Sequence, residues 1–275
     1  MDPLLQALVM GIVQGLTEFL PISSSGHLIL VPWLLGWDEP FITSLAFSVM
    51  LHLGTLAALL VYFARDWIRL VGAGLASLRD RRIGDDPSRR LAWVLVAATI
   101  PAAVVGGLLG DTIENAARRP AIVALALVVG AVILWYADRV GRHERDVEAI
   151  RSPAGVAIGA AQALALVPGV SRSGITISAG LLLGLTRESA ARFSFLLAAP
   201  TIAGAGLLEA YHLVRGDAGP IPNASILVVG VVAAAVTGML AIRALLEWFR
   251  RRGVGIFVAY RIALAALVVV FLLRV

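Results

Sequence analysis

The sequence contains no cysteine and no lysine, and only 15% of its 275 residues are charged. The absence of cysteine excludes a disulfide framework, a thiol nucleophile and a thiolate metal site. All 23 basic residues are arginine, 59% of the chain is hydrophobic, and the mean hydropathy is +0.90. Soluble domains average about half apolar and about a quarter charged residues. The composition therefore indicates an integral membrane protein.

The chain is basic, with a net charge of +5 and a pI near 10.6, which raises the question of a nucleic-acid partner. The arginines, however, lie mainly in short loops between apolar segments, which is the pattern of membrane topology. Nucleic acid is therefore set aside as a partner. The first apolar stretch has no basic n-region and runs into PISSSGH at 21–27, so we expect no cleavable signal peptide.

Two kinds of apolar segment divide the chain. Six are predicted to cross the bilayer, namely Phe41–Phe63, Leu91–Leu109, Ile122–Tyr136, Phe193–Leu213, Ala224–Leu246 and Ile256–Leu273. The regions 4–37 and 154–185 are each two short apolar pieces broken by Pro, Gly and Ser. Broken helices at membrane depth are tolerated only inside protein or beside a wet cavity, so we predict two re-entrant helical hairpins. The expected fold class is an all-α polytopic membrane protein with six transmembrane helices.

The distribution of arginine predicts the orientation of these segments. The arginine-rich loops are 64–90 with seven, 138–153 with four, 247–255 with three and 186–192 with two. The poorer loops are 111–120 with two, 214–223 with one and 38–40 with none. By the positive-inside rule the first group is cytoplasmic, and both termini are periplasmic. The two hairpins then enter the membrane from opposite sides.

An internal repeat agrees with this inverted arrangement. At an offset of 148 the first hairpin recurs in the second, in the pairs Gln14/Gln162, Leu16/Leu164, Ser23/Ser171, Ser25/Ser173 and Gly26/Gly174. Near an offset of 146 the pairs are Phe47/Phe193, Ser48/Ser194, Leu51/Leu197 and Thr55/Thr201. We therefore expect one membrane domain, 1–275, with a first repeat at 1–137, a connecting cytoplasmic loop at 138–153 and a second repeat at 154–275. Transporter folds built this way place their site where the two breaks meet.

The first break, QGLTEFLPISSSGH at 14–27, combines three kinds of reactive group. Gln14 and Glu18 are four residues apart and share a helix face, and a carboxylate at membrane depth usually has a function and a partner. Pro21 ends that helix, serines follow, and His27 begins the next helix, from which it could reach back to Glu18. A hydroxyl, an imidazole and a carboxylate are the parts of an activated nucleophile. The serines could equally cap the next helix beside a structural Glu18–His27 pair, and this motif alone leaves both interpretations open.

The second break, PGVSRSGIT at 168–176, favours an anion site. Gly169 and Gly174 allow close approach of the backbone to a ligand, and helix N-terminal amides bind anions. Arg172 supplies a planar set of donors suited to phosphate oxygens. The alternative is a buried structural pair of Arg172 with Glu18. One acid, one arginine and one histidine balance poorly without an anionic ligand, so the anion site is the preferred interpretation.

Other polar and small residues are interpreted structurally. His52, within a predicted span, is read as a packed or hydrogen-bonded histidine, and Arg243 and Arg261 as snorkelling towards the inner interface. Glycines four residues apart predict helix packing, and their small faces are compatible with a homodimer. These pairs are Gly11/Gly15, Gly106/Gly110 and Gly180/Gly184.

The two breaks, QGLTEFLPISSSGH and PGVSRSGITIS, closely resemble the two signatures of the bacitracin-resistance type undecaprenyl-diphosphate phosphatases. The resemblance extends along the whole chain and includes FSFLLAAPTIAGA at 193–205. It implies hydrolysis of undecaprenyl diphosphate to the monophosphate and inorganic phosphate, which recycles the lipid carrier for cell-wall synthesis and confers bacitracin resistance. It also implies a bacterial inner-membrane location and an active site that faces the periplasm.

The resemblance assigns roles to particular residues. The expected catalytic residues are Glu18, Ser24, His27 and Arg172, with Ser24 as nucleophile and Glu18 or His27 as base; attack by water with His27 as base stays open. The expected phosphate ligands are Ser23, Ser25, Gly169, Ser171, Arg172, Ser173, Gly174 and Thr176. A divalent cation, Mg²⁺ or Ca²⁺, is expected at Glu18 with Gln14. Because Gln14 replaces one of two carboxylates, a two-carboxylate metal site is not expected.

A different class of protein fits part of the same pattern. An inverted repeat with two broken helices and a central anion site also describes a transporter or flippase of a lipid phosphate or small anion. The feature that separates the two is the set Ser24, His27 and Glu18, since a carrier needs no nucleophile and base. A membrane scaffold leaves the buried charges unexplained.

Overall fold

The computed structural model describes residues 1–215 and 224–274, and over these residues the chain forms α-helices and no β-strand. The eleven helices are α1 (Pro3–Phe19), α2 (Ser24–Leu35), α3 (Leu45–Tyr62), α4 (Ala64–Arg79), α5 (Pro87–Ala117), α6 (Pro120–Val140), α7 (Ser152–Gln162), α8 (Arg172–Leu182), α9 (Arg187–Arg215), α10 (Ala224–Arg251) and α11 (Gly255–Leu272). A 3₁₀ turn at Ala163–Leu166 extends α7. The expected all-α class is confirmed. Most of the predicted outer loop 214–223 lies outside the described residues.

The structure contains five or six helices that can cross a membrane. Five of them, α5, α6, α9, α10 and α11, are individually long and apolar enough. A sixth span results if α3 and α4, which meet at a bend of 80°, are counted together. The chain is therefore a multi-pass membrane protein.

The segment after α3 differs from the sequence prediction. Residues 64–90 were expected to be a cytoplasmic loop, but 64–79 form α4. Apolar residues recur there every three to four positions, so that Leu70 is buried while Ile68, Val71 and Leu75 are exposed. The helix meets α3 at 80°, and an amphipathic helix with an exposed apolar face is typical of a segment that lies along a membrane surface. Counting arginines predicted that this segment is polar, but it did not reveal that the same segment forms a helix with an apolar face.

Both breaks begin before a proline. Leu20 is extended at the end of α1 and Val167 is extended after the 3₁₀ turn, because the residue before a proline is disfavoured in helical conformation. The helices that flank the breaks are short, with 17 residues in α1 and 12 in α2. A span needs about 20 apolar residues, so these pieces are short for a single crossing.

The glycines of α1 fix how the first hairpin is buried. A Cβ atom on Gly15 would lie 2.5 Å from the carbonyl oxygen of Ala234 and 2.7 Å from the backbone nitrogen of Gly238, both in α10. The predicted packing at Gly11/Gly15 is thus confirmed. The pair Gly106/Gly110 differs, since a Cβ on Gly110 would meet nothing within 4 Å among the described residues.

Replacing Gly15 with alanine tests this close approach. We expect Gly15→Ala to lower the unfolding free energy by about 1–3 kcal/mol, because α1 and α10 must move apart. Thermal unfolding in detergent measures the effect. The matched control is Gly204→Ala on the exposed side of α9, where an added Cβ meets no described atom within 4 Å. Equal melting temperatures for the two variants would contradict the contact.

Candidate active site

Each break starts its second helix with the same unusual serine. Ser23 and Ser171 have φ values of 75° and 76°, a region that costs a non-glycine residue about 1–3 kcal/mol. The Oγ of Ser23 accepts from the N–H of Gly26 at 3.3 Å, and the Oγ of Ser171 accepts from the N–H of Gly174 at 3.1 Å. The capping alternative is therefore correct for these two serines. Strained caps repeated in this way are typical of functional sites.

The two breaks contact each other directly. The backbone N–H of Gly169 donates to Ser23 Oγ at 3.1 Å, and the hydroxyl of Ser173 donates to the carbonyl of Leu20 at 3.0 Å. A Cβ atom on Gly26 would lie only 3.5 Å from the Cα of Gly169. The two motifs are therefore adjacent, as the repeat predicted.

Arg261 of α11 joins the breaks, which corrects its interpretation as a snorkelling residue. It is 0% exposed. Its guanidinium donates to the carbonyls of Pro21 at 3.3 Å, Gly169 and Val170 at 2.9 Å each, and Leu127 at 3.1 Å. Broken helices leave carbonyls without partners, and a buried arginine with five N–H donors satisfies several of them together.

Glu18 is the centre of the side-chain cluster. It is buried, its Oε1 accepts from Arg172, and its Oε2 accepts from the hydroxyl of Ser24. Gln14 also donates to Oε2, at 2.9 Å. The predicted alignment of Gln14 with Glu18 is thus observed. A hydroxyl that donates to a carboxylate is the geometry of a nucleophile beside its base.

His27 does not occupy its expected place. Its Nδ1 lies 2.7 Å from the carbonyl of Ser23, and its Nε2 lies 2.7 Å from the hydroxyl of Tyr260, on which the ring stacks. The expected contact with Glu18 is therefore not formed. Tyr260 is 233 residues further along the chain, so the sequence of the break alone could not reveal this partner.

A histidine that the sequence analysis set aside stands in that place. The Nε2 of His52 in α3 lies 3.3 Å from Glu18 Oε2, and its Nδ1 lies 2.7 Å from the Ser48 carbonyl. One signal could have identified it: Ser48, His52 and Thr55 recur at helical spacing on an otherwise apolar segment.

A cavity of about 310 Å³ opens onto this cluster. Its polar lining includes Glu18, Ser24, Ser25, His52, Gln162, Ser171 and Arg172, and its apolar lining includes Leu28, Ile29, Val49, Leu166 and Ile202. Other expected phosphate ligands form hydrogen bonds to neighbouring protein groups and do not line the cavity. Thr176, for example, donates to the Arg172 carbonyl and contacts the Ser194 hydroxyl. The serine, the carboxylate and the arginine therefore meet in one pocket with an apolar wall.

Three buried polar atoms at this site lack partners among the described residues. They are Nη1 of Arg172 and the Oε1 atoms of Gln14 and Gln162. An unsatisfied buried donor costs about 1–3 kcal/mol, and more when it is charged, so Nη1 calls for an anionic acceptor. An orphaned amide oxygen next to a carboxylate fits a hard divalent cation, which prefers oxygen ligands and keeps several waters. The described residues hold no group of three or more acidic, histidine or cysteine ligands, so the protein alone supplies few metal ligands.

Fold and site together define an all-α, multi-pass membrane protein in which a serine and an arginine meet a buried carboxylate at two helix breaks. The chain belongs to the BacA family: residues 7–267 match the family described as bacitracin resistance protein BacA. It is 49% identical over 272 residues to an undecaprenyl-diphosphatase of Moorella thermoacetica, with 98% of each chain covered. It is also 49% identical to undecaprenyl-diphosphatases of Desulforudis audaxviator and Rubrobacter xylanophilus, over 268 and 270 residues. Those alignments cover 98% of this chain and 97% and 98% of the two relatives.

The role of Arg261 is tested by comparison with Arg243, which the sequence analysis interpreted in the same way. We expect Arg261→Met to lower the unfolding free energy by more than about 3 kcal/mol, because several buried carbonyls lose their donor. Arg243 is exposed on α10, so Arg243→Met should change stability little. Thermal unfolding in detergent measures both. A melting temperature for Arg261→Met equal to that of Arg243→Met would disprove the role of Arg261 as the donor that joins the two breaks.

Proposed function

We propose that this protein is a phosphatase that hydrolyses undecaprenyl diphosphate to undecaprenyl phosphate and inorganic phosphate, and so recycles the carrier for cell-wall synthesis. Removal of the diphosphate lipid also accounts for resistance to bacitracin. The observation that carries the proposal is the Ser24 hydroxyl, which donates to the buried Glu18 carboxylate beside an arginine with an unpaired donor.

The terminal phosphate would be held by charge and position. Phosphoryl transfer depends mostly on positioning and on electrostatic stabilisation. Nη1 of Arg172 has no partner among the described residues, and Arg172 is itself the first residue of α8, whose N-terminal amides would add to the anion site. Arg172 would bind the terminal phosphate and would then be shared between the phosphate and Glu18.

Ser24 is the proposed nucleophile. Its oxygen forms a bond to the terminal phosphorus while its proton passes to Glu18 Oε2, and the bond from phosphorus to the bridging oxygen breaks. Undecaprenyl phosphate leaves with that oxygen. Undecaprenyl phosphate takes the proton from Glu18 as it departs, which restores the carboxylate. Water then bonds to phosphorus and gives a proton to Glu18, the bond from phosphorus to Ser24 Oγ breaks, Ser24 Oγ recovers that proton from Glu18, and inorganic phosphate is released. Because His27 is bound to Ser23 and Tyr260, Glu18 is the better placed base.

Gln14 and Glu18 would hold a divalent cation, Mg²⁺ or Ca²⁺, through the unpartnered amide oxygen and the carboxylate. When bound, the cation neutralises charge on the diphosphate oxygens. Two protein ligands leave most coordination positions to water and substrate, which is the usual arrangement for Mg²⁺ at phosphates.

The apolar part of the cavity would take the first isoprene units of the lipid. Leu28, Ile29, Val49, Leu166 and Ile202 line the cavity together with the polar cluster. A long prenyl chain keeps the rest of the substrate in the bilayer, so the enzyme needs to enclose only the head group and its nearest units.

The membrane arrangement is proposed to be six spans and two re-entrant hairpins in an inverted repeat. The matching serine caps support it, and so do Gly36 and Gly184, which share the offset of 148 and have φ values of 65° and 89°. Together with the arginine distribution, this supports the proposal that both termini and the cavity mouth face the periplasmic side of the bacterial inner membrane. A homodimer would use the face of α5 at Gly107 and Gly110, where an added Cβ meets no described atom within 4 Å.

A carrier of a lipid phosphate or small anion remains the second candidate function, because a broken inverted repeat around an anion site also serves transport. The contact between Ser24 and Glu18 favours the phosphatase. A carrier would need Arg172 but would work without the serine hydroxyl.

Phosphate release from undecaprenyl diphosphate by the purified chain in detergent tests the proposed function. We expect release with Mg²⁺ or Ca²⁺, loss with a chelator, and a fall of more than about 100-fold in Ser24→Ala and in Arg172→Ala. Ser178→Ala is the matched control, since among the described residues the hydroxyl of that buried serine bonds only the Gly174 carbonyl of its own helix. Activity kept in Ser24→Ala but lost in Arg172→Ala would replace the serine with water as nucleophile. No release by folded wild type would remove the phosphatase proposal and favour the carrier.

Single-cysteine labelling tests the proposed topology, and the chain has no cysteine to give background. Asp38 follows the first hairpin and Glu148 precedes the second, and both are exposed. We expect a membrane-impermeant maleimide to label Asp38→Cys in intact cells and Glu148→Cys only after permeabilisation. Labelling of both from the same side would rule out the inverted arrangement.

A further inference from the structure

We propose that His52 is a positioning residue for the phosphatase reaction: a hydrogen bond from its Nε2 fixes the Glu18 carboxylate in the orientation that receives the Ser24 proton. This inference rests on the proposed function and extends it to a residue outside both signature motifs. His52 belongs to α3, a helix that contains neither break.

The imidazole is held in place from its far side. Its Nδ1 lies 2.7 Å from the Ser48 carbonyl, and its Nε2 faces the Glu18 carboxylate. Both of these partners only accept, so both ring nitrogens carry a proton and the side chain acts as an imidazolium. This bond along the helix directs Nε2 at Glu18 Oε2, 3.3 Å away. The side chain is 26% exposed and lines the cavity, so it stands at the edge of the pocket rather than in the packed interior.

Glu18 needs a partner that the substrate does not take. Arg172 binds Oε1, but the same guanidinium is the proposed ligand of the terminal phosphate. Once the phosphate of the substrate binds Arg172, the contact between Arg172 and Oε1 is weakened, and the Glu18 carboxylate can rotate about its Cγ–Cδ bond. Gln14 of α1 and His52 of α3 both bind Oε2 and neither is needed by the phosphate. Donors from two helices on one oxygen fix the direction in which it accepts from Ser24.

Packing alone does not account for a histidine here. An apolar residue on a membrane helix would fill the position without a polar group at membrane depth. The Nε2 of glutamine is the same number of bonds from Cβ as the Nε2 of histidine, so glutamine can donate to the same oxygen. Leucine fills a similar volume and donates nothing.

The experiment measures kcat and KM for undecaprenyl diphosphate in wild type, His52→Leu and His52→Gln. We expect kcat to fall about 10- to 100-fold in His52→Leu, the effect of one lost hydrogen bond to a charged group, with KM within about twofold. His52→Gln should keep kcat within about threefold of wild type, because the donor is restored. Melting temperatures for all variants confirm that the fold is retained.

Thr55→Val is the matched control on the same helix. Its hydroxyl donates to the His52 carbonyl and is buried away from the cavity lining, so we expect wild-type kcat. A fall in Thr55→Val as large as that in His52→Leu would assign the effect to the packing of α3 and overturn the inference.

The remaining outcomes separate this inference from the proposed function. Wild-type activity with a fully active His52→Leu variant would overturn the positioning role and leave the phosphatase intact. A His52→Gln variant as inactive as His52→Leu would also overturn it, because the imidazole itself would then be required. No activity in folded wild type would remove the phosphatase proposal, and this inference with it.

Discussion

The whole site depends on how two interrupted helices satisfy their backbone groups inside an apolar protein. Arg261 supplies donors to carbonyls at Pro21 in one break and at Gly169 and Val170 in the other. Ser23 Oγ accepts from Gly169, which joins the breaks a second time. Without such partners, open backbone at membrane depth would be too costly to keep. Arg261, which is buried and forms no ion pair with a described residue, is therefore what brings the two motifs together.

That junction determines the electrostatics of the cavity. Once the breaks meet, Glu18 and Arg172 come from opposite motifs to the same point, and Ser24 reaches the carboxylate across the first turn of α2. A buried acid with several donors stays aligned without water. The arginine keeps one donor for an anion. In the proposed reaction, phosphate binding and proton transfer would be served by this one small cluster, and the apolar lining of the cavity would take the lipid.

Local motifs were predictable because their chemistry lies within a few residues. The spacing of Gln14 and Glu18, the stop before Pro21 and the serine start of α2 are all as expected. His27 was expected beside Glu18, but His52 is found there. Each histidine depends on a helix far away in sequence: His27 contacts Tyr260 of α11, and the packing of α3 beside α1 brings His52 to Glu18. Hydropathy likewise predicted the long helices. It did not predict α4 as a separate amphipathic helix, because the 80° bend at Phe63 is visible only in the structure.

The sequence by itself determined the membrane class, the two breaks, the family resemblance and the central residues Glu18, Ser24 and Arg172. These follow from composition, helix periodicity and motifs that are continuous along the chain. Tertiary structure alone decided that the buried Arg261 joins the two breaks, that His52 contacts the Glu18 carboxylate and that His27 contacts Tyr260 instead. Side chains on apolar helices have no local partner to reveal their role, since their neighbours are set by which helices pack together.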